Sequence, residues 1–170
     1  FIFISLSFKI ILLLLSFKSP QYYTSDSYHY LNNAQALIQK GTFALSSEKS
    51  HILESFTTPG YPFAIALLYI VFGENDVYLI VFNMFLNLLS AFVLYKICIL
   101  IESRKIAIIT LILFLFDPLS SGYIFLILPE TLFVSLMLMF TLSAIMWIKN
   151  IGSIRHSFLS GILLSLTTLV

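Results

Sequence analysis

The chain alternates between long apolar runs and short polar breaks. A hydrocarbon core of about 30 Å takes roughly 20 helical residues to cross, and five runs approach that length. They predict spans at about 1–17, 77–101, 105–117, 130–148 and 157–170. The third breaks at Asp117-Pro118, because proline removes a helix donor. The stretch after it, "LSSGYIFLIL", reads as a re-entrant or surface element. The fourth opens just after Pro129, at a favoured first-turn position. No small-residue cleavage site follows the first run, so it reads as a span and not as a signal peptide.

One polar break is long, from 18 to 76, and carries two shorter patterns. In "SYHYLNNAQALIQKG" the apolar positions Tyr30, Leu31, Ala34, Leu37 and Ile38 share one helical face. Ser25 or Asp26 can cap its start, and Gly41 can close it. "YPFAIALLYIVFG", 61–73, is too short to span and is bracketed by Pro62 and Gly73. Both predict helices lying along a membrane surface. The expected fold class is therefore all-α: a multi-pass transmembrane helical bundle with juxtamembrane surface helices in its first outer loop. Phe1 and Val170 both fall in apolar runs, so residues 1–170 are expected to be the N-terminal part of one transmembrane domain, inactive on its own.

Composition agrees with this pattern. Mean hydropathy is +1.01 and only 10% of residues are charged, against about 25% in soluble domains. A net charge of +1 offers no concentrated basic face for nucleic acid. Cys98 is single and lies in an apolar run, which rules out an internal disulfide. The short loops "ESRK" (102–105) and "KNIGSIRH" (149–156) hold four Lys/Arg, whereas the loop from Asp117 to Glu130 holds two acids and no base. By the positive-inside rule the basic loops face the cytoplasm. The 18–76 insert then lies on the outer or periplasmic side of a plasma membrane, despite Lys18, Lys40 and Lys49.

Within that insert Asp26 stands at the head of the first surface helix. It can cap the helix, a job of about 1 kcal/mol, or act as a base. Glu130 opens the fourth span, where an acid gains about 0.3–1 kcal/mol from the helix dipole. Pro59-Gly60-Tyr61-Pro62 turns the chain from loop into the second surface helix. Asp117 reads as a helix terminator, and Glu48 and Glu54 as solvated, with Glu54 the better second acid. Lys40 answers the dipole at the end of its helix. Asn83 and Asn87, one turn apart, read as a polar pair that packs helices together. His29, His51 and His156 have no ligand spacing, so no zinc site is expected.

Four pieces taken in order, "DSYHYLNNAQALIQKGTF", "TTPGYPFAIALLYIVFG", "LFLFDP" and "LPETLF", resemble the GT-C class of integral membrane glycosyltransferases. That class includes the protein O-mannosyltransferases and the lipid A aminoarabinose transferase. The chain departs from those two branches in having Ser27 where they tend to carry Glu after the first acid, which is closer to the broader bacterial relatives. The resemblance implies an inverting transfer of a hexosyl or pentosyl unit from a polyprenyl-phosphate donor to an acceptor hydroxyl. It implies Asp26 as the base, worth about 10²–10⁴-fold, and Glu130 or Glu54 as an acid assisting an acceptor or a metal. Tyr30, Pro59, Gly60, Tyr61 and Lys40 would line the donor site, with Tyr61 packing on the lipid or sugar. No cofactor is identified, and a divalent metal stays open. Expected partners are membrane lipids, the lipid-linked donor, and a protein, lipid or polysaccharide acceptor. Two other classes fit the same pattern: a transporter or lipid-linked oligosaccharide flippase, and a non-catalytic assembly subunit.

Overall fold

A computed structural model describes residues 2–16, 22–49, 51–149 and 153–170. Lys18, expected on the outer side, lies outside the described residues. The fold is all-α, with eight helices and no strand among the described residues: α1 (Ile2–Ser16), α2 (Ser25–Lys40), α3 (Gly60–Phe72), α4 (Asp76–Ile101), α5 (Arg104–Phe116), α6 (Pro118–Tyr123), α7 (Glu130–Lys149) and α8 (Ile154–Leu169). Among the described residues, α4 and α7 alone are long and apolar enough to cross a membrane, with 26 and 20 residues. At 1.5 Å per residue the 13-residue α5 reaches about 20 Å, short of a 30 Å core.

Helix ends follow from local chemistry. The N-cap of α2 is Thr24, not Ser25 or Asp26. Its hydroxyl accepts from the Ser27 N–H, and the Ser27 hydroxyl accepts from the Thr24 N–H at 2.9 Å, closing a capping box. That arrangement needs a hydroxyl three residues apart, and the Thr24/Ser27 pair supplies it. Gly41 ends α2 in the left-handed region at φ 65°, which glycine adopts without a Cβ penalty. Asp117 separates α5 from α6 as expected, its carboxylate accepting from the Ser120 N–H at 2.6 Å, and Pro118 opens α6.

The bundle has two chemically distinct ends. Lys149, at the end of α7, donates to the Leu100 carbonyl near the end of α4, so the two basic loops share one end. At the other end Ile127 N donates to Tyr22 O at 2.9 Å, and Thr58 Oγ1 donates to Val170 O at 2.7 Å. The principal apolar core lies here. Tyr22, Ala34, Tyr61, Ile65, Tyr69, Ile80, Ile124 and Ile127 are buried together, which joins α2, α3 and α4 to the segment between α6 and α7.

Polar contacts stitch the long helices. Ser160 Oγ donates to Ser143 Oγ at 2.9 Å between α8 and α7, and Ser5 Oγ donates to Leu115 O at 3.1 Å between α1 and α5. Lys9 of α1 is fully buried, with Nζ donating to Asn87 Oδ1 of α4 at 2.6 Å. Removing either partner has unequal consequences, because Asn87→Leu leaves an ammonium with no acceptor whereas Lys9→Met leaves only a neutral amide. Asn87→Leu is expected to cost about 2–3 kcal/mol more than Lys9→Met, read by denaturant unfolding in detergent. Equal costs would show that the pair is not what holds α1.

Candidate functional site

The end of the bundle that carries the insert gathers most of the acids, and the loop from Ile124 to Glu130 organises it. Asn83 of α4 donates through Nδ2 to Ile124 O at 3.3 Å and to Leu126 O at 3.1 Å. Ile127 N binds Tyr22 O in the same stretch. Tyr22 precedes Asp26 by four residues and Ile127 precedes Glu130 by three. One backbone bond therefore ties the two segments that carry these carboxylates.

Asp26 is exposed in the first turn of α2, and its Oδ1 accepts from Ser25 Oγ at 3.2 Å. Glu130 is half-buried as the first residue of α7, and its Oε2 is enclosed with no hydrogen-bond partner. Tyr30, one turn beyond Asp26, is half-buried. Burial raises its phenol pKa, and the charges of Asp26 and then Glu130 push it further in the same direction. Its ring meets Tyr61 edge-on, with centroids 5.3 Å apart and planes at 85°, a favourable aromatic geometry.

The remaining residues named from the sequence fall in other places. Tyr61 is only 2% exposed, so its ring is enclosed by protein and packs there instead of facing a ligand. Gly60 abuts the end of α8: a Cβ at this position would lie 2.6 Å from Leu169 O. Pro59 is exposed just ahead of it. Lys40 is exposed at the far end of α2, about 21 Å from Asp26 along the axis, too far to share one phosphate with it.

Glu54 is not simply solvated. Its Oε1 accepts from the Ser55 N–H at 2.9 Å and the Phe56 N–H at 2.6 Å. Burial alone would raise its pKa, but these N–H groups, with Thr57 N–H and the Asn33 amide, hold it below the usual 4.5. Asn33, fully buried on α2, donates to Thr57 Oγ1 at 2.6 Å and anchors the same loop. Glu48 stays exposed as expected. Among the described residues no three His, Cys, Asp or Glu side chains come together as a metal site.

Two features have no counterpart in the sequence reading. Asp76, at the start of α4, accepts hydrogen bonds from both Tyr23 and Tyr69, clamping the stretch before α2, the end of α3 and the start of α4. The bond to Asp76, with burial, pushes the Tyr23 phenol up to about 12. Nothing in spacing alone signals this clamp, since Tyr23 and Asp76 are joined only by the fold. Lys9 is different. A lone lysine inside the apolar run "FIFISLSFKIILLLLSF" is a visible signal, because lysine is almost never fully buried unless it is paired.

Adding a methyl at Gly60 must push α8 away, so Gly60→Ala is expected to cost about 1–3 kcal/mol. Pro59→Ala should leave the melting temperature unchanged, and equal Tm values for the two variants would contradict this packing. Glu54 predicts a pH effect of definite sign. A carboxyl with a lowered folded pKa stabilises above its ordinary value and loses that contribution as pH falls through the folded value. Hydrogen exchange of the Ser55, Phe56 and Thr57 amides, corrected for the intrinsic exchange rate, should therefore quicken as pH falls below the ordinary carboxyl value of 4.5, whereas Glu54→Gln should show no such pH dependence.

Compared with family models, with curated proteins and with solved structures, the chain matches none.

Proposed function

We propose that the chain forms part of a multi-pass membrane glycosyltransferase of the GT-C type, with Asp26 as the base that activates an acceptor hydroxyl. The observation that carries this reading is the freedom of Asp26. The capping role open to it belongs to Thr24 and Ser27. Its carboxylate stands exposed beside a half-buried tyrosine that also feels Glu130. An acid not used as the cap, at the head of a helix and next to an aromatic ring, suits a proton acceptor beside a sugar-sized ligand.

The reaction asks little more of the protein. The acceptor oxygen forms a bond to the anomeric carbon with inversion, its proton passing to Asp26. The bond from that carbon to the phosphate oxygen breaks, and the polyprenyl phosphate leaves with the electron pair as a stabilised anion. Tyr30 would carry the ring-stacking role, since Tyr61 supports it from behind. Phosphate binding needs cations, and Lys40 is too far from Asp26 to supply one at that point.

A second reading draws support from Lys9. A transporter or flippase needs ionisable groups inside the membrane, and the buried Lys9 ammonium, held by Asn87, would supply one. Asp26→Asn separates the readings. Under the transferase reading it lowers glycosyl transfer by about 10²–10⁴-fold while donor binding and Tm persist, measured with a radiolabelled polyprenyl-phosphate sugar in membranes that carry the whole enzyme of which the chain is part. Unchanged transfer would end the base assignment, and transport lost in Lys9→Met but kept in Asp26→Asn would favour the rival.

A further inference from the structure

A cavity of about 220 Å³ lies between α4, α5, α6 and α7, lined among others by Asn87, Ser90, Phe114, Leu119, Glu130 and Val134. Asp26 is not part of it. Asn87 is 14 residues from the basic end of α4, about 21 Å along the axis, so in a core of about 30 Å the cavity sits in the half nearer the insert. Leu119 and Val134 are 68% and 39% exposed, which opens the cavity onto the apolar flank of the bundle.

Its chemistry is uneven in an informative way. Phe114, Leu119 and Val134 make apolar walls, yet Ser90 is 1% exposed with a hydroxyl that has no partner. The enclosed Oε2 of Glu130 also has none. Buried polar atoms are nearly always satisfied; the carboxylate oxygen needs a donor and the hydroxyl can take either role, so the cavity calls for a group that can donate a hydrogen bond. The nearby charges oppose one another: the Lys9 ammonium stands behind Asn87, whose Oδ1 it occupies, and Glu130 stands at the α7 wall. A charged head of either sign would be drawn to one and repelled by the other. Apolar walls, donor-seeking oxygens and opposed charges together describe a neutral amphiphile.

We propose that this cavity binds a long-chain alcohol, with the hydroxyl donating to Glu130 or Ser90 and the chain leaving past Leu119 and Val134. About 220 Å³ has room for a hydroxyl and its first few carbons, at about 30 Å³ for a water-sized group. The site does not depend on the transferase reading, because its evidence is the cavity and not Asp26.

The test is photolabelling in lipid nanodiscs with a diazirine-bearing fatty alcohol, alongside the matching photo-acid and photo-amine, with labelled peptides mapped by mass spectrometry. The alcohol is expected to label the 113–137 region about fivefold more than either analogue. Val134→Trp, which fills the cavity, should abolish that excess, and Ser90→Val with Glu130→Leu should remove the preference among heads. If Val134→Trp fails to fold, competition by unlabelled fatty alcohol replaces it. Equal labelling by acid or amine, persistence in Val134→Trp, failure of competition, or labelling at bulk-lipid background would each overturn the proposal, the last leaving water as the occupant. None of these readouts requires turnover.

Discussion

The arrangement of the insert end depends on how the segment between α6 and α7 is held. That segment has no helix of its own to satisfy its backbone, and Ile124 and Ile127 are buried. Buried carbonyls and N–H groups without partners are costly, and the solution is a clasp. Asn83 takes the carbonyls of Ile124 and Leu126, while Tyr22 O takes the N–H of Ile127. Because Asn83 belongs to a long helix and Tyr22 to the start of the insert, this clasp fixes α7 relative to α2. Asp26, Tyr30 and Glu130 are brought to one end of the bundle as a consequence.

Charge distribution reinforces the same geometry. Of eight acids only Glu102 lies with the basic loops, while Asp26, Asp76 and Glu130 lie at the opposite end. Asp76 does structural work there, holding Tyr23 and Tyr69 together. Glu54 does the same for the loop after α2. Asp117 caps α6. Asp26 differs from these three in having no comparable structural task, and this contrast among acids is more telling than the position of any one of them.

What was legible in the sequence follows from what is local. Helix positions and their breaks at Gly41, Gly73, Asp117-Pro118 and Pro129 were readable because proline, glycine and apolar periodicity act within a few residues. The cap of α2 was misassigned by one or two positions, since Ser25, Asp26 and Thr24 are all competent and only the reciprocal bond with Ser27 decides. Span length was read too generously: α5 has a suitable composition but too few residues. The roles of Asn83, Asp76 and Lys9 were not readable as contacts, because each joins segments between 41 and 78 residues apart, with the exception of the Tyr69–Asp76 bond. The resemblance implied Tyr61 packing on the lipid or sugar, whereas its ring turns inward to the core.

The short α5 also explains why a cavity exists where it does. A helix that stops after about 20 Å cannot match the 26-residue α4 beside it, and the chain must turn back inside the bundle. Asp117 and Pro118 make that turn, and the six-residue α6 fills part of the space above α5. Six residues with Ser120, Ser121 and Gly122 carry little side-chain volume, so the space is not filled completely. Protein interiors close such gaps where apolar side chains can reach, but here the facing surfaces carry Asn87, Ser90 and Glu130. The volume left between α4 and α7 is therefore a direct result of a break written in two residues, Asp117 and Pro118, together with small polar residues on the helices it faces.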